Sequence, residues 1–158
     1  IGGLKYAQSL GAYTIAVTCT DNPEMAAYAN LSLTAVTGPE IITGSTRLKA
    51  GTAQKLILNM LSTGSMILLG KTYGNLMVDV QCTNQKLEER ARHIVATVTG
   101  CTLDEAQEYL DASGGNCKAA ILIHLTGLPR PKAEQLLAEN HGFLRKALEA
   151  FRNGKGKE

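Results

Sequence analysis

The sequence predicts an α/β domain followed by a small, all-helical unit. Helix and strand patterns alternate through the first 36 residues, which is the βαβ rhythm of a parallel sheet. Only seven charged side chains lie in residues 1–70, whereas 23 lie in residues 71–158. The first part therefore has the composition of the interior-rich half of an α/β domain, and the second has that of amphipathic helices facing solvent.

The N-terminal elements follow in chain order. Apolar residues at helical spacing predict a helix over 1–10, which Gly11 ends. Continuous apolar runs predict strands at 14–19 and 31–36, joined by a short helix that Pro23 opens. Two strands do not form a stable parallel sheet alone, and the first helix begins without a capping residue. We therefore expect further strands upstream of this sequence.

Two longer helices are expected in the middle of the chain. A loop-like segment, 37–49, leads into a helix over 50–70 that is apolar over most of its circumference. We expect this to be a central core helix, packed on several sides. A second helix is predicted over 75–99, where apolar residues recur at spacings of three and four.

Short helices account for the last third of the sequence. A capping-box pattern at Thr102–Glu105 begins a helix that runs to about residue 112. Asn116 caps the next helix, which ends at Gly127. Pro131 occupies the first turn of another, and a final short helix begins near Leu144.

Composition argues against several classes of function. The net charge is only +2, and the chain has five Tyr, two Phe and no Trp, so no nucleic-acid partner is predicted. The charge-free stretch 56–70 is too short and too polar to span a membrane, so no membrane partner is predicted. The four cysteines lack CxxC spacing and a nearby histidine, so we expect reduced thiols, no metal site and a cytoplasmic location.

The segment immediately before the helix at 50–70 contains the candidate site. Ser45 and Thr46 supply hydroxyls there, and Arg47 and Lys49 supply cations. Hydroxyls and the N–H groups of a helix N-terminus donate to an oxyanion, and a guanidinium binds two oxygens at once. These four residues therefore form a candidate binding site for a sugar phosphate.

A structural interpretation of the same residues is about equally supported. Ser45 or Thr46 would then only cap the helix, and Arg47 would pair with Glu40. The spacing matches neither of the glycine-rich loops that bind ATP and NAD, so no nucleotide cofactor is predicted.

Several motifs resemble those of one family. Segments 38–40, 44–49 and 51–55 resemble the signature shared by N-acetylmuramic acid 6-phosphate etherases and the glucokinase regulatory protein. Further segments look like the bacterial etherase branch: 58–64, 70–79, 83–87, 125–128 and 141–145. The resemblance covers essentially the whole chain.

The resemblance implies a domain organisation. Residues 1–100 would be the C-terminal part of a sugar isomerase (SIS) domain, a three-layer α/β fold with a parallel sheet. Residues 101–152 would form a helical domain resembling a ubiquitin-associated fold, and 153–158 a tail. The family also leads us to expect a homodimer.

The resemblance also implies an activity. Family enzymes are carbon–oxygen lyases that cleave the lactyl ether of N-acetylmuramic acid 6-phosphate, giving N-acetylglucosamine 6-phosphate and D-lactate in cell-wall recycling. Lactate elimination and addition of water need a general acid and a general base but no metal or cofactor. By similarity, Ser45, Thr46 and Arg47 would line the site for this amino-sugar phosphate substrate, with Lys49 nearby.

The matched positions do not include the family's two catalytic glutamates or its main phosphate loop, which precede residue 1. We therefore expect this chain alone to be inactive. Glu40 is the one carboxylate in the signature, and its family position is structural. The alternative function is that of a non-catalytic phosphosugar-binding regulator; a sugar-phosphate isomerase would share the fold without explaining the signature.

Overall fold

The computed structural model describes residues 1–155 and divides into two compact units, Ile1–Gly64 and Ser65–Glu158. The segment predicted as a tail, 153–158, lies partly in the last helix, which runs through Lys155. Residues 156–158 lie outside the described part.

The first unit contains a small parallel sheet, as the alternating pattern predicts. Strands β1 and β2 pair in parallel, with Ile15 opposite Leu31. Both strands are shorter than predicted, and the connection is a single 3-10 helix that begins after Pro23. The elements are α1 Gly2–Ser9, β1 Ile15–Thr18, the 3-10 helix Glu24–Tyr28, β2 Leu31–Thr34 and α2 Lys49–Leu68, whose last four residues belong to the second unit.

Helix α2 is not the core helix that its composition predicts. None of its residues is buried, and Met60 and Leu68 are 66% and 79% exposed. Half-buried positions recur at helical spacing along one face, at 50, 54, 57, 61 and 64, and the other half-buried positions are 51, 53 and 66. The prediction was wrong because composition shows how much apolar surface a helix has but not whether the chain can cover it.

After the end of α2, the second unit forms a hairpin where the sequence predicts the start of a helix. Strands β3 and β4 are antiparallel and are joined through Gly74, whose φ is +58°. The next helix starts only after Asn84, whose side chain accepts a hydrogen bond from the Leu87 N–H. The elements are β3 Thr72–Tyr73, β4 Leu76–Met77, α3 Gln85–Thr99, α4 Leu103–Ala112, α5 Cys117–Thr126, α6 Arg130–Glu139 and α7 Leu144–Lys155.

Helix α5 is the centre of the second unit. It packs against α3, α4, α6 and α7, and its Ile121 and Leu122 are fully buried. The predicted caps are confirmed: Thr102 and Glu105 form the capping box of α4, and Asn116 caps α5. Helix α3 packs against α4 and α5 and so is part of this core. The domain boundary that the sequence analysis places after residue 100 stays a prediction.

Within the described residues, no helix combines the length and the apolar character that crossing a bilayer requires.

The close contact between Gly70, which precedes β3, and the Phe143 ring predicts an effect of substitution on stability. Gly70 has φ +68°, and a Cβ built there would lie 2.8 Å from the ring of Phe143. Gly74 has a similar φ, but nothing lies within 4 Å of its Cβ position. We expect Gly70→Ala to lower the free energy of unfolding by roughly 2–4 kcal/mol in urea denaturation, because overpacking adds to backbone strain. Gly74→Ala should cost only about 1 kcal/mol, and equal losses would contradict the packing explanation.

Candidate functional site

The four predicted site residues lie close together in sequence, three in the turn before α2 and Lys49 as the first residue of α2. Ser45 is half-buried, whereas Thr46, Arg47 and Lys49 are exposed. The turn is held by backbone hydrogen bonds, of which the Ser45 N–H donates to the Ile42 carbonyl at 3.0 Å. The predicted residues are therefore neighbours on an accessible surface.

Glu40 caps helix α2. Its carboxylate accepts hydrogen bonds from the backbone N–H groups of Ala50 at 3.0 Å and Lys49 at 2.9 Å. These two N–H groups hold the pKa of the Glu40 carboxyl below its usual value. The structural interpretation predicted that Ser45 or Thr46 caps α2. That prediction was wrong, because the Glu40 carboxylate binds the N–H groups of the first turn.

The cap changes what α2 can offer to an anion. Besides the two N–H groups bound by Glu40, the Gly51 N–H donates to the Thr46 carbonyl and the Thr52 N–H donates to the Leu48 carbonyl. The first turn therefore has no free backbone donors, contrary to the expectation from sequence. An anion bound here cannot use the N–H groups of the helix N-terminus, which leaves the side chains of the loop as its charged and hydroxyl partners.

Those side chains are available. Among residues 1–155, the structure records no hydrogen bond from the hydroxyls of Ser45 and Thr46 and no ion pair for Arg47. Lys49 is less free, because its ammonium donates to the Pro39 carbonyl at 3.0 Å. Arg47 and Lys49 line a shallow cleft of about 550 Å³, which also includes Thr52 and Leu56.

A second polar cluster lies in the second unit, around the buried Lys118 of α5. Lys118 is only 8% exposed, and its ammonium lies 2.9 Å from one oxygen of the Asp79 carboxylate. It also donates to the carbonyls of Gly142 at 3.1 Å and Gly70 at 3.5 Å. Lys71 binds the other oxygen of Asp79. Burial opposes the charge on Asp79, but the hydrogen bonds from both lysines outweigh it and lower its pKa.

This cluster brings together two motifs that are far apart in sequence, 70–79 and 141–145. The Phe143 ring packs on Gly70. The Arg145 guanidinium lies 5.4 Å from the centre of the Tyr73 ring. Sequence reasoning missed Lys118, which joins them; the available signal was a single charge within the apolar run of α5.

The cysteines and His124 occupy structural positions in the part of the chain that the structure describes. All four cysteines are free thiols, and burial raises the pKa of Cys117 to about 12, which makes it a poor nucleophile. His124 packs edge-on against Tyr109, with its Nδ1 atom buried and unpartnered among the described residues. No cluster of three His, Cys, Asp or Glu residues suited to a metal ion occurs within residues 1–155.

Part of the chain is similar to one known family of domains. Residues 74–113, from the hairpin through α4, match a family described as the C-terminal lid domain of glucokinase regulatory protein.

Whole proteins give a closer match. The chain is 55% identical over 150 residues to an N-acetylmuramic acid 6-phosphate etherase of Rhizobium rhizogenes, covering 95% of this chain and 49% of that protein. It is 54% identical over 148 residues to the Klebsiella aerogenes etherase (94% and 49%) and 52% over 153 residues to that of Clostridium beijerinckii (97% and 50%). The chain spans about half the length of the curated relatives it matches. The predicted resemblance to the C-terminal portion of these etherases is confirmed.

The Asp79 cluster predicts a pH-dependent stability. Because the folded-state pKa of Asp79 is lowered, its carboxylate stabilises the fold above the ordinary pKa of 3.8, and this contribution is lost as the pH falls through the folded value. Asp79→Asn should therefore cost roughly 2 kcal/mol at pH 7, since it leaves two lysines without a counter-charge. Urea unfolding over a pH series should show this difference shrinking below about pH 4.

A matched control is Glu108→Gln, which makes the same chemical change at an exposed position of α4. A difference between wild type and Asp79→Asn that is the same at every pH would contradict the assigned role of the charge.

Proposed function

We propose that this chain is the C-terminal part of an etherase, a lyase that cleaves the lactyl ether of N-acetylmuramic acid 6-phosphate. The products would be N-acetylglucosamine 6-phosphate and D-lactate, formed by elimination and hydration during cell-wall recycling. The observation that supports this most is identity of 50–55% along nearly the whole chain with proteins of that name. Residues 1–100 would then complete an SIS-type domain, with a helical domain resembling a ubiquitin-associated fold at 101–152 and a tail at 153–158.

In this proposal the loop before α2 binds the phosphosugar. The free hydroxyls of Ser45 and Thr46 donate to phosphate oxygens, and the unpaired Arg47 guanidinium binds two oxygens at once. Lys49 adds charge from a position fixed by Pro39. Because Glu40 occupies the helix N-terminus, these side chains supply the binding that backbone N–H groups supply in many phosphate sites.

The chain alone is proposed to be inactive. Elimination needs a base with a pKa near the working pH. Glu40 is the one carboxylate of the 38–55 signature, and two backbone N–H groups lower its pKa and occupy its oxygens. The resemblance implies that the acid and base roles belong to two glutamates in the part of the etherases that this chain does not match.

A phosphosugar-binding regulator without catalysis is the second candidate. One observation favours it, namely the match of residues 74–113 to the lid domain of a regulatory protein. The identities to etherases extend over a much longer part of the chain, so we place the regulator second.

The partner is proposed to be a second copy of the same protein, in the cytoplasm. Leu56, Met60 and Ile67 recur at helical spacing on α2, and each is more than half exposed. Covering such a stripe removes apolar surface from water, which favours association.

A chimera tests the activity directly. The N-terminal half of the Klebsiella aerogenes etherase, joined to this chain in place of its own matching 148 residues, should release D-lactate from N-acetylmuramic acid 6-phosphate. This chain alone should release none. The control is the Klebsiella aerogenes etherase with its own C-terminal half joined through the same junction sequence. Light scattering of the chimera should give the mass of a dimer.

Arg47→Ala in the chimera should raise KM by about tenfold or more, because a charge-assisted, two-pronged contact is lost. Arg90→Ala, an exposed arginine of α3, should leave KM unchanged. Phosphosugar binding without lactate release, in a chimera whose rejoined control is active, would favour the regulator over the etherase. Unchanged KM in Arg47→Ala would reject the assigned binding site.

A further inference from the structure

The cleft at the start of α2 has an apolar wall beside the side chains that are proposed to bind the phosphate. It encloses about 550 Å³, and all the residues that line it belong to the first unit. Two cations, one hydroxyl and three apolar side chains line it: Arg47, Lys49, Thr52, Leu48, Ala53 and Leu56. The lining therefore suits a ligand that combines an anionic group with an apolar one.

Helix α2 sets the order of these groups. Four of the lining residues lie on one face of its first two turns, because three and four residues separate them. They are Lys49, Thr52, Ala53 and Leu56. Lys49 is the first residue of the helix, and Leu56 lies seven residues further along, a rise of roughly 10 Å. The charge thus lies at the start of this face and the apolar wall at its end, a separation that a hexose ring and its substituents can span.

Thr52 supplies a hydrogen-bond acceptor to the cleft. Its hydroxyl donates to the Leu48 carbonyl at 2.6 Å, so the oxygen still has lone pairs to offer a ligand. On the same face of the helix, Ala53 is half-buried and Leu56 is 57% exposed. An acceptor beside an uncovered apolar surface complements an acetamido group, which has an N–H and a methyl.

We propose that this end of the cleft binds the N-acetyl group of the sugar phosphate whose phosphate Arg47 binds. The acetamido N–H donates to the Thr52 hydroxyl, and the methyl group packs against Ala53 and Leu56. Thr52 and Leu56 are therefore specificity-determining residues, which select N-acetylated amino sugars from other sugar phosphates. This inference rests on the proposed function, because it requires that the loop before α2 binds the phosphate.

The charges of the cleft favour the N-acetyl group over a free amine. Arg47 and Lys49 are both cations, and none of the described residues that line the cleft is acidic. The carboxylate of Glu40 already accepts hydrogen bonds from the N–H groups of Lys49 and Ala50. An ammonium group in the cleft would add a positive charge to two others without a counter-charge. An amide carries no charge and meets no such repulsion.

A second copy of the chain is the other candidate to cover the apolar wall. Leu56 begins the exposed stripe of α2 that is proposed to meet such a copy, but Met60 and Ile67, which continue the stripe, do not line the cleft. The cations and the Thr52 hydroxyl share the cleft with Leu56, and an apolar helix face would leave them without partners. The cleft therefore holds the sugar, and the stripe beyond it remains for the second copy.

Three sugar phosphates test the proposal in amide NMR titrations of the 158-residue chain at about pH 6.5, where an amine is protonated. N-acetylglucosamine 6-phosphate has the acetamido group, glucosamine 6-phosphate has an ammonium in its place, and glucose 6-phosphate has a hydroxyl. We expect the N-acetylated sugar to bind about tenfold more tightly than the other two and to shift the amides of residues 47–56. Equal affinities, or tighter binding of either other sugar, would overturn this inference and leave the phosphosugar site in place.

Substitutions show which side chains are responsible. Leu56→Ala and Thr52→Val should each reduce the preference for the N-acetylated sugar from about tenfold to about threefold, and glucose 6-phosphate binding should stay unchanged. Thr52→Ser keeps the acceptor and should keep most of the preference. Leu58→Ala makes the matched change at another exposed leucine of α2, outside the cleft, and should behave as wild type does. Wild-type preference in Leu56→Ala or in Thr52→Val would overturn the proposal.

These titrations separate this inference from the proposed function. No shift at 47–56 with any of the three sugars would reject the loop as a phosphosugar site, and this inference with it. A preference for the N-acetylated sugar together with an inactive chimera would contradict the etherase activity alone. If a second copy covers Leu56 instead, Leu56→Ala lowers the mass of the chimera in light scattering and leaves the sugar preference unchanged, which overturns this inference.

Discussion

The buried ammonium of Lys118 is the constraint on which the second unit depends. A charge inside an apolar helix is tolerated only when it is fully paired, and Lys118 has Asp79 and the carbonyls of Gly142 and Gly70 as partners. These partners belong to the hairpin segment and to the α6–α7 turn. Neither segment can move away from α5 without leaving a buried charge or carbonyl unpaired. Lys118 thereby links the segment that contains Lys71 to the turn that contains Phe143.

In the first unit, too, a charged side chain stabilises the fold by binding backbone groups, but this side chain is more exposed than Lys118. Glu40 binds the first N–H groups of α2, so the carboxylate within the recognised signature stabilises a helix. That explains why a conspicuous acid beside free hydroxyls and an unpaired arginine is not a candidate base. In the proposed function the side chains of the loop then bind the phosphosugar, so a single substitution such as that of Arg47 should weaken binding.

Features that depend on residues close in sequence, such as helix caps, were predictable from the sequence. The burial of a helix and the contacts between distant segments were not. The caps at Thr102 and Asn116 depend on residues within one helical turn, and the parallel pair β1–β2 follows from a short repeat of patterns. The hairpin was missed because Leu76 fits helical spacing with later residues as well as strand alternation. The exposure of α2 and the Lys118 cluster depend on what lies beside them in space. The sequence correctly indicated that the four site residues lie close together: Ser45, Thr46, Arg47 and Lys49. It did not identify the cap of α2, which is Glu40 rather than Ser45 or Thr46.

Native-state hydrogen exchange of Lys118→Met tests the central constraint most directly. The Val78 N–H donates to the Lys71 carbonyl in the hairpin, and the Gly142 N–H donates to the Leu137 carbonyl in the turn. If Lys118 joins the two segments, both amides should lose protection together, while Lys132→Met, at an exposed lysine of α6, changes neither. Wild-type protection at both amides in Lys118→Met, or loss at only one of them, would contradict the account.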